Sequence, residues 1–98
     1  MTKAMISQPM AGLTEQQIRD ARRDAEQYAA DKGYTVVDSV LNLGNPEGIN
    51  LGLFYLSKSL TILAECEVLI MCPGWEKARG CRIEKLCADE YGIRVECL

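Results

Sequence analysis

One predicted strand–loop–helix unit brings an aromatic ring and a cation close together in the sequence. Residues 68–72 form an apolar run with the length and composition of a strand that is buried on both faces. The loop after this run holds the chain's only tryptophan, Trp75, which can stack on a base or cap an apolar seam. Arg79 can bind a phosphate through two parallel hydrogen bonds, or it can pair with a carboxylate. Gly74 and Gly80 bracket the turn and allow a ligand to approach the backbone.

Glu84 adds a carboxylate to this unit. We predict that it lies in the first turn of the next helix, which runs from near residue 80 to residue 91. The positive field of a helix N-terminus favours an ionised carboxylate, so Glu84 is suited to act as a nucleophile or to accept hydrogen bonds from sugar hydroxyls. The alternative is that Glu84 only offsets the helix dipole. Taken together, the ring, the cation and the carboxylate are suited to a nucleoside or nucleotide.

A second loop connects the first predicted strand, residues 3–7, to the first helix. It contains Ser7, Gln8, Pro9, Met10 and Gly12, and it matches neither the G-x-G-x-x-G dinucleotide pattern nor a phosphate-binding loop that ends in GK[ST]. The free backbone amides at the start of the following helix can still bind a phosphate or a sugar oxygen, and Gly12 permits close approach. An ordinary strand-to-helix turn is the alternative interpretation.

The charge and the hydropathy pattern restrict the partners of this protein. Its 98 residues carry a net charge of -3, with acidic and basic residues interspersed, so we expect no nucleic-acid partner. The sequence has neither a signal-peptide pattern nor an apolar run of the ~20 residues that a bilayer requires. We therefore expect no membrane partner and a cytoplasmic location.

Histidine is absent, and the five cysteines include no CxxC pair. This composition argues against a zinc site and against a disulfide framework, so we predict no metal, no cofactor and reduced cysteines, mainly in the core. Without histidine, any acid–base chemistry has to use carboxylates, Lys, Tyr, Cys or water.

The remaining elements alternate between helix and strand. A capping box at Thr14 opens a helix that ends at Gly33, and a second strand covers residues 34–38. Asp38, at the end of that strand, can bind a ribose hydroxyl, substitute as an acid, or serve as a turn residue. Residues 39–50 read as an irregular loop, and residues 51–65 as a helix whose apolar surface is wide enough to pack on a second copy of the chain. We therefore predict a homo-oligomer. Residues 93–97 form the last strand.

This alternation predicts an α/β fold with right-handed crossovers. We expect a single domain over residues 1–98 with a Rossmann-like, flavodoxin-like doubly wound parallel sheet of about four strands in the order 2-1-3-4. That order puts the topological switch point between the first and third strands. The loops 7–13 and 73–80 should then face one another across a crevice.

Three stretches of the chain resemble the small nucleoside 2-deoxyribosyltransferase-like domains of bacteria and their phages. They are residues 6–12, residues 58–60 and residues 74–84, and the most specific is the GWE-x-ARG-x-x-x-E pattern of the third. The resemblance spans nearly the whole chain. It implies that Glu84 is the nucleophile that attacks the anomeric carbon of a nucleoside and forms a glycosyl-enzyme. It also implies oligomers in which a neighbouring chain completes each pocket.

Ser59 departs from the pattern of the active enzymes. They carry at this position an Asp that assists the leaving base, and its loss removes general-acid help of typically ~10²–10⁴-fold. The resemblance therefore favours a nucleotide-binding protein that holds a nucleotide or an ADP-ribose-like ligand, linear or cyclic, in an oligomeric pocket. By analogy, this would be a phage anti-defence protein that sequesters an immune nucleotide signal. The alternative is an N-glycosidase or nucleoside deoxyribosyltransferase that uses Glu84 as nucleophile.

Overall fold

The computed structural model of the protein describes residues 1–37 and 46–98. Asp38 and the first part of the predicted loop, residues 39–45, lie outside the described residues. The predictions made for them are therefore not addressed by the structure.

The described residues form three α-helices and one four-stranded sheet in strict alternation. In chain order these are β1 (Lys3–Ser7), α1 (Glu15–Lys32), β2 (Thr35–Val36), α2 (Leu51–Leu63), β3 (Val68–Met71), α3 (Arg79–Glu90) and β4 (Arg94–Cys97), with a 3-10 turn at Trp75–Lys77 before α3. All strands are parallel and lie in the order β2-β1-β3-β4. The predicted α/β class and the predicted strand order are confirmed.

Helices cover both faces of the sheet. On one face α1 packs through Ala25 and Ala29 against alternate residues of the two central strands, which include Ala4, Ile6, Val68 and Ile70. On the other face α2 and α3 pack through Ile62, Leu63, Cys81 and Ala88 against the intervening residues, which include Met5, Leu69 and Met71. Side chains alternate between the faces of a strand, so the continuous apolar runs of β1 and β3 supply both layers of the core.

The two ends of α1 form as the local sequence predicts. The Thr14 hydroxyl accepts a hydrogen bond from the Gln17 amide, and the Gln17 side chain accepts one from the Thr14 amide. Gly33 ends the helix at φ 78°, a left-handed conformation that side chains disfavour. The capping box therefore fixes the position at which α1 begins, directly after the loop of residues 8–13.

The apolar surface of α2 is only partly used within one chain. Leu63 is buried in the core, whereas Leu53, near the start of the helix, is 64% exposed. The helix ends at Leu63, two residues before the predicted end at residue 65. The exposed apolar surface near its start is consistent with the predicted homo-oligomer, which stays a prediction.

Strand β4 is tied across the face of the sheet to α1. The Glu96 carboxylate accepts hydrogen bonds from the hydroxyls of Tyr28 (2.6 Å) and Tyr34 (2.7 Å) and from the Arg94 guanidinium (2.8 Å). The bond from Tyr28, followed by those from Tyr34 and Arg94, lowers the pKa of Glu96 to about 2. The network therefore ties this edge strand to α1 and to Tyr34, which directly precedes β2.

No helix of the described residues is long and apolar enough to cross a membrane.

Candidate functional site

A cleft of about 740 Å³ opens at the carboxyl ends of β1 and β3. Its walls are the loop after β1, one side of α2, and the segment that joins the 3-10 turn to α3. The two loops approach one another: a Cβ added to Gly74 would lie 3.7 Å from Cγ of Pro9. The crevice predicted at the topological switch point is therefore present, because β1 and β3 are neighbours in the sheet and their following loops leave in different directions.

Most of the predicted site residues line this cleft. They are Ser7, Gln8, Pro9, Met10, Ser59, Arg79, Gly80 and Glu84. Gly12, Gly74 and Trp75 do not line it, and Asp38 lies outside the described part of the chain. Gly12 and Gly74 instead have positive φ angles of 77° and 88°, so both serve the turns of the backbone.

Trp75 packs against the core instead of facing the cleft. It begins the 3-10 turn and contacts the apolar cluster between the sheet and the helices α2 and α3. On its other side, the Lys85 ammonium lies 5.5 Å from the ring centroid. Of the two interpretations of this side chain, the observed contacts fit capping of an apolar seam. The sequence pattern did not reveal the 3-10 turn that begins at Trp75.

Glu84 lies on the floor of the cleft, and it is nearly buried, with 9% of its surface exposed. The Ser7 hydroxyl at the end of β1 donates a hydrogen bond of 2.6 Å to Glu84 Oε1. Helix α3 begins at Arg79, so Glu84 is in the second turn, and the predicted position in the first turn is wrong. The field of a helix N-terminus is felt mainly within the first turn and therefore contributes little here.

Burial decides the protonation of Glu84. Desolvation raises the pKa of this carboxyl above its ordinary value, and the hydroxyls of Ser7 and Ser59 lower it part of the way back. Ser59 lies beside the carboxyl on α2, and the hydrogen bond that the structure gives its hydroxyl is the one that it donates to the Tyr55 carbonyl oxygen at 3.2 Å. Ser7 therefore holds the one acidic group that lines the cleft among the described residues, with Ser59 close by on a second element.

Four cationic residues line the same cleft as this carboxyl. Arg22, Lys58, Lys77 and Arg79 come from α1, α2, the 3-10 turn and α3. Arg22 lies 3.7 Å from Glu26 on its own helix. Within residues 1–37 and 46–98, Lys58, Lys77 and Arg79 form no ion pair. The cleft is therefore a locally positive region of a chain whose net charge is negative.

The sequence interpretation missed Arg22, Lys77 and Tyr55, and it assigned no role to Lys58. A detectable signal for Tyr55 was present. Gly52, Tyr55, Leu56 and Ser59 have the spacing i, i+3, i+4, i+7 of one helix face, and all four line the cleft. No comparable pattern marks Arg22 or Lys77, because they come to the cleft only through the packing of α1 and the 3-10 turn.

The chemistry available in this cleft consists of anion binding, hydroxyl recognition and one carboxyl. No group of three or more His, Cys, Asp or Glu that could hold a metal ion occurs in the part of the chain that the structure describes. Cys81 also lines the cleft, and burial raises the pKa of its thiol. It is therefore a weak nucleophile at neutral pH.

Comparison with known proteins places the chain in a family. Neither the curated proteins nor the solved structures include a significant match to it. Residues 2–97 match the model of one protein family, and this match covers nearly the whole chain. The chain therefore belongs to the family described as Domain of unknown function (DUF4406).

Proposed function

We propose that the cleft binds a nucleotide or an ADP-ribose-like molecule and holds it without turning it over. One observation carries this proposal. Three cations without ion-pair partners among the described residues, Lys58, Lys77 and Arg79, line a cleft whose floor is the buried carboxyl of Glu84. Cations that are not neutralised within the protein are available to an anionic ligand, and a carboxylate beside hydroxyls suits a sugar.

Each part of such a ligand has a partner in the cleft. The cations bind the phosphate, with Arg79 able to donate two parallel hydrogen bonds. Glu84, supported by Ser7, accepts hydrogen bonds from ribose hydroxyls. Tyr55, which is 38% exposed on α2, offers an aromatic face to the base in place of Trp75. The volume of about 740 Å³ is within the ~300–1,000 Å³ that is typical of small-molecule sites.

Two features favour binding over catalysis. The hydroxyl of Ser59, which interacts with Glu84, cannot protonate a departing base as a carboxylic acid does. Burial also raises the pKa of Glu84, which lowers the fraction present as the nucleophilic carboxylate. Both effects slow a glycosyl transfer, and neither weakens the binding of a phosphorylated sugar through the cations.

An N-glycosidase or deoxyribosyltransferase is the second candidate function, because Glu84 lies in the cleft with hydrogen bonds that favour its ionised form. In that reaction Glu84 would form a bond to the anomeric carbon, and the bond from this carbon to the base nitrogen would break. The electron pair would leave with the base, which takes a proton from water. Water would then cleave the glycosyl–enzyme ester and restore Glu84.

A ligand panel with mass spectrometry distinguishes the two functions. The protein is incubated with nucleosides, nucleotides and linear or cyclic ADP-ribose, and then denatured. Intact ligand recovered from the protein supports the binder, and free base identifies the glycosidase. The cyclic compounds are included because sequestration of an immune nucleotide signal by a phage-encoded protein is a prediction from the family resemblance.

Two substitutions refine this comparison. For a glycosidase, Glu84→Gln abolishes base release while the ligand still binds, and Ser59→Asp increases any residual rate. For a binder, wild type releases no base, and Glu84→Gln changes only the affinity. Rapid base release by wild type that Glu84→Gln abolishes would reverse the ranking of the two functions.

Arg79→Ala tests the role of the cations. It should weaken the binding of a phosphorylated ligand by ~1.5–3 kcal/mol, the range for hydrogen bonds to charged groups, and leave the fold intact. Lys3→Ala is the matched control, because Lys3 is an exposed cation at the opposite end of β1 and does not line the cleft. If calorimetry shows that the Arg79→Ala variant binds the phosphorylated ligand with the affinity of wild type, the proposed role of Arg79 in phosphate binding is rejected.

A further inference from the structure

We infer that the cleft selects ligands that carry two linked phosphates over ligands that carry one. This inference rests on the proposed nucleotide-binding function and narrows its substrate class to nucleoside diphosphates and their esters. It follows from the positions of the cations that lack ion-pair partners in residues 1–37 and 46–98.

Arg79 and Lys58 approach the ligand space at different points of α2. A Cβ built on Gly52 would lie 3.6 Å from Nη2 of Arg79, so the guanidinium lies beside the first turn of this helix. Lys58 is attached six residues further along the same helix, which corresponds to ~9 Å along its axis at 1.5 Å per residue. Its ammonium lies 5.5 Å from the centroid of the Phe54 ring, and because the side chain is exposed, a bound phosphate would compete with this ring for the charge. Cations at two such points fit two phosphate groups better than one.

Lys77 and Arg79 define one of the two positions. They flank Ala78, which precedes the first residue of α3 and makes no side-chain capping bond. Among the described residues no side chain caps the first amides of α3, and residues 78–81 line the cleft. A phosphate at this position would meet two cations and free backbone donors, while Lys58 would bind the second phosphate from α2.

The charges of the cleft agree with this arrangement. A phosphate monoester carries about -1.5 to -2 at neutral pH, which is less than the summed charge of the three cations that form no ion pair within residues 1–37 and 46–98. A second phosphate adds negative charge on the side of Lys58. Glu84 is the acidic side chain that lines the described cleft, and its place beside Ser7 and Ser59 assigns it to the sugar end of the ligand.

Calorimetry with adenosine, AMP, ADP and ADP-ribose at one ionic strength tests the inference. Competition by inorganic phosphate and by pyrophosphate, which carry no base or sugar, tests the phosphate sites alone. ADP or ADP-ribose should bind at least ~10-fold more tightly than AMP, and pyrophosphate should compete better than phosphate. Tighter binding of ADP than of ADP-ribose would indicate a ligand that ends in a diphosphate. Tighter binding of ADP-ribose would indicate a ligand in which the diphosphate links two sugars.

Lys58→Ala is the decisive variant. It should reduce the affinity for the diphosphate ligand by ~10–100-fold and change the affinity for AMP by less than ~3-fold, while Lys3→Ala changes neither. Equal binding of AMP and ADP, with phosphate and pyrophosphate competing equally, would overturn the inference and leave the proposed function in place. Failure of all the ligands and both anions to bind would reject the proposed function itself.

Discussion

Removal of the Ser7 hydroxyl should destabilise the protein by an amount that depends on pH. Ser7 is buried at the end of β1, and its 2.6 Å hydrogen bond to Glu84 joins the central sheet to α3. The Ser7→Ala variant leaves the volume of the core almost unchanged. Any loss of stability therefore reports the hydrogen bond and not a large cavity.

The magnitude follows from the charge of the acceptor. When Glu84 is ionised, the lost bond is one to a charged group and should cost about 1.5–3 kcal/mol. When Glu84 is protonated, the bond is neutral and its loss should cost about 0.5–1.5 kcal/mol. Because burial raises the folded-state pKa of Glu84 above the ordinary 4.5, the penalty should be smallest near pH 4 and grow as the pH rises through the folded-state pKa.

Urea denaturation of both proteins between pH 4 and pH 9 measures this difference. Ser57→Ala is a matched control, since the Ser57 hydroxyl also makes a 2.6 Å bond, but to a neutral carbonyl oxygen on the exposed side of α2. We expect that control to change the free energy of unfolding by less than ~0.5 kcal/mol at every pH, because exposed groups can bond to water instead. A penalty for Ser7→Ala that is independent of pH, or equal to that of the control, would refute the reasoning.

Three further predictions concern Glu84, the β4 network and the surface of α2. Glu84→Gln should leave stability unchanged well below pH 4.5, where the wild-type carboxyl is protonated in both states. As the pH rises from 4.5 to the raised folded-state pKa the variant should become progressively more stable than wild type, and above that pKa the difference should stay constant, as chemical denaturation would report. Glu96→Gln should lower the free energy of unfolding by about 1–2 kcal/mol at pH 7 after allowance for solvent screening. Because the folded-state pKa of Glu96 is lowered to about 2, this loss should disappear as the pH falls from 4.5 to about 2, and a loss that stays constant over this range would contradict the prediction. Light scattering should find a homo-oligomer at micromolar concentration that Leu53→Glu dissociates, and a stable wild-type monomer would remove the predicted interface.

The sequence predicted the fold well because its signals are local. The apolar runs of β1 and β3, the capping box at Thr14 and the glycine at position 33 each specify an element through neighbouring residues. Alternation of helices and strands, with the handedness of crossovers, then leaves few possible sheet orders. The same logic placed the two loops across one crevice, since loops that follow adjacent parallel strands leave at the same edge.

The side chains of the site were harder to predict, because their roles depend on contacts between distant residues. Trp75 was predicted to lie in a loop, but it begins a 3-10 turn, and its partly buried ring packs against the core cluster. Glu84 was assigned to the first turn of its helix, but it is the sixth residue of a helix that begins at Arg79, so the carboxyl lies in the second turn, away from the strongest part of the helix field. Small errors at element boundaries therefore become large errors in chemistry.

The sequence by itself determined the class of fold, the strand order and the two loops that border the cleft, because hydrophobic periodicity and turn residues act over a few neighbouring positions. Only the tertiary structure decided the electrostatics of the site. The pKa of Glu84 depends on its burial and on hydroxyls 77 and 25 positions away in the chain, those of Ser7 and Ser59. Lys58, Lys77 and Arg79, the cations of the cleft without ion-pair partners in the described part of the chain, are separated by up to 21 residues, and they come together only because α2 and α3 pack on the same face of the sheet. Desolvation and charge density are properties of assembled surfaces, and no local pattern in the chain encodes them.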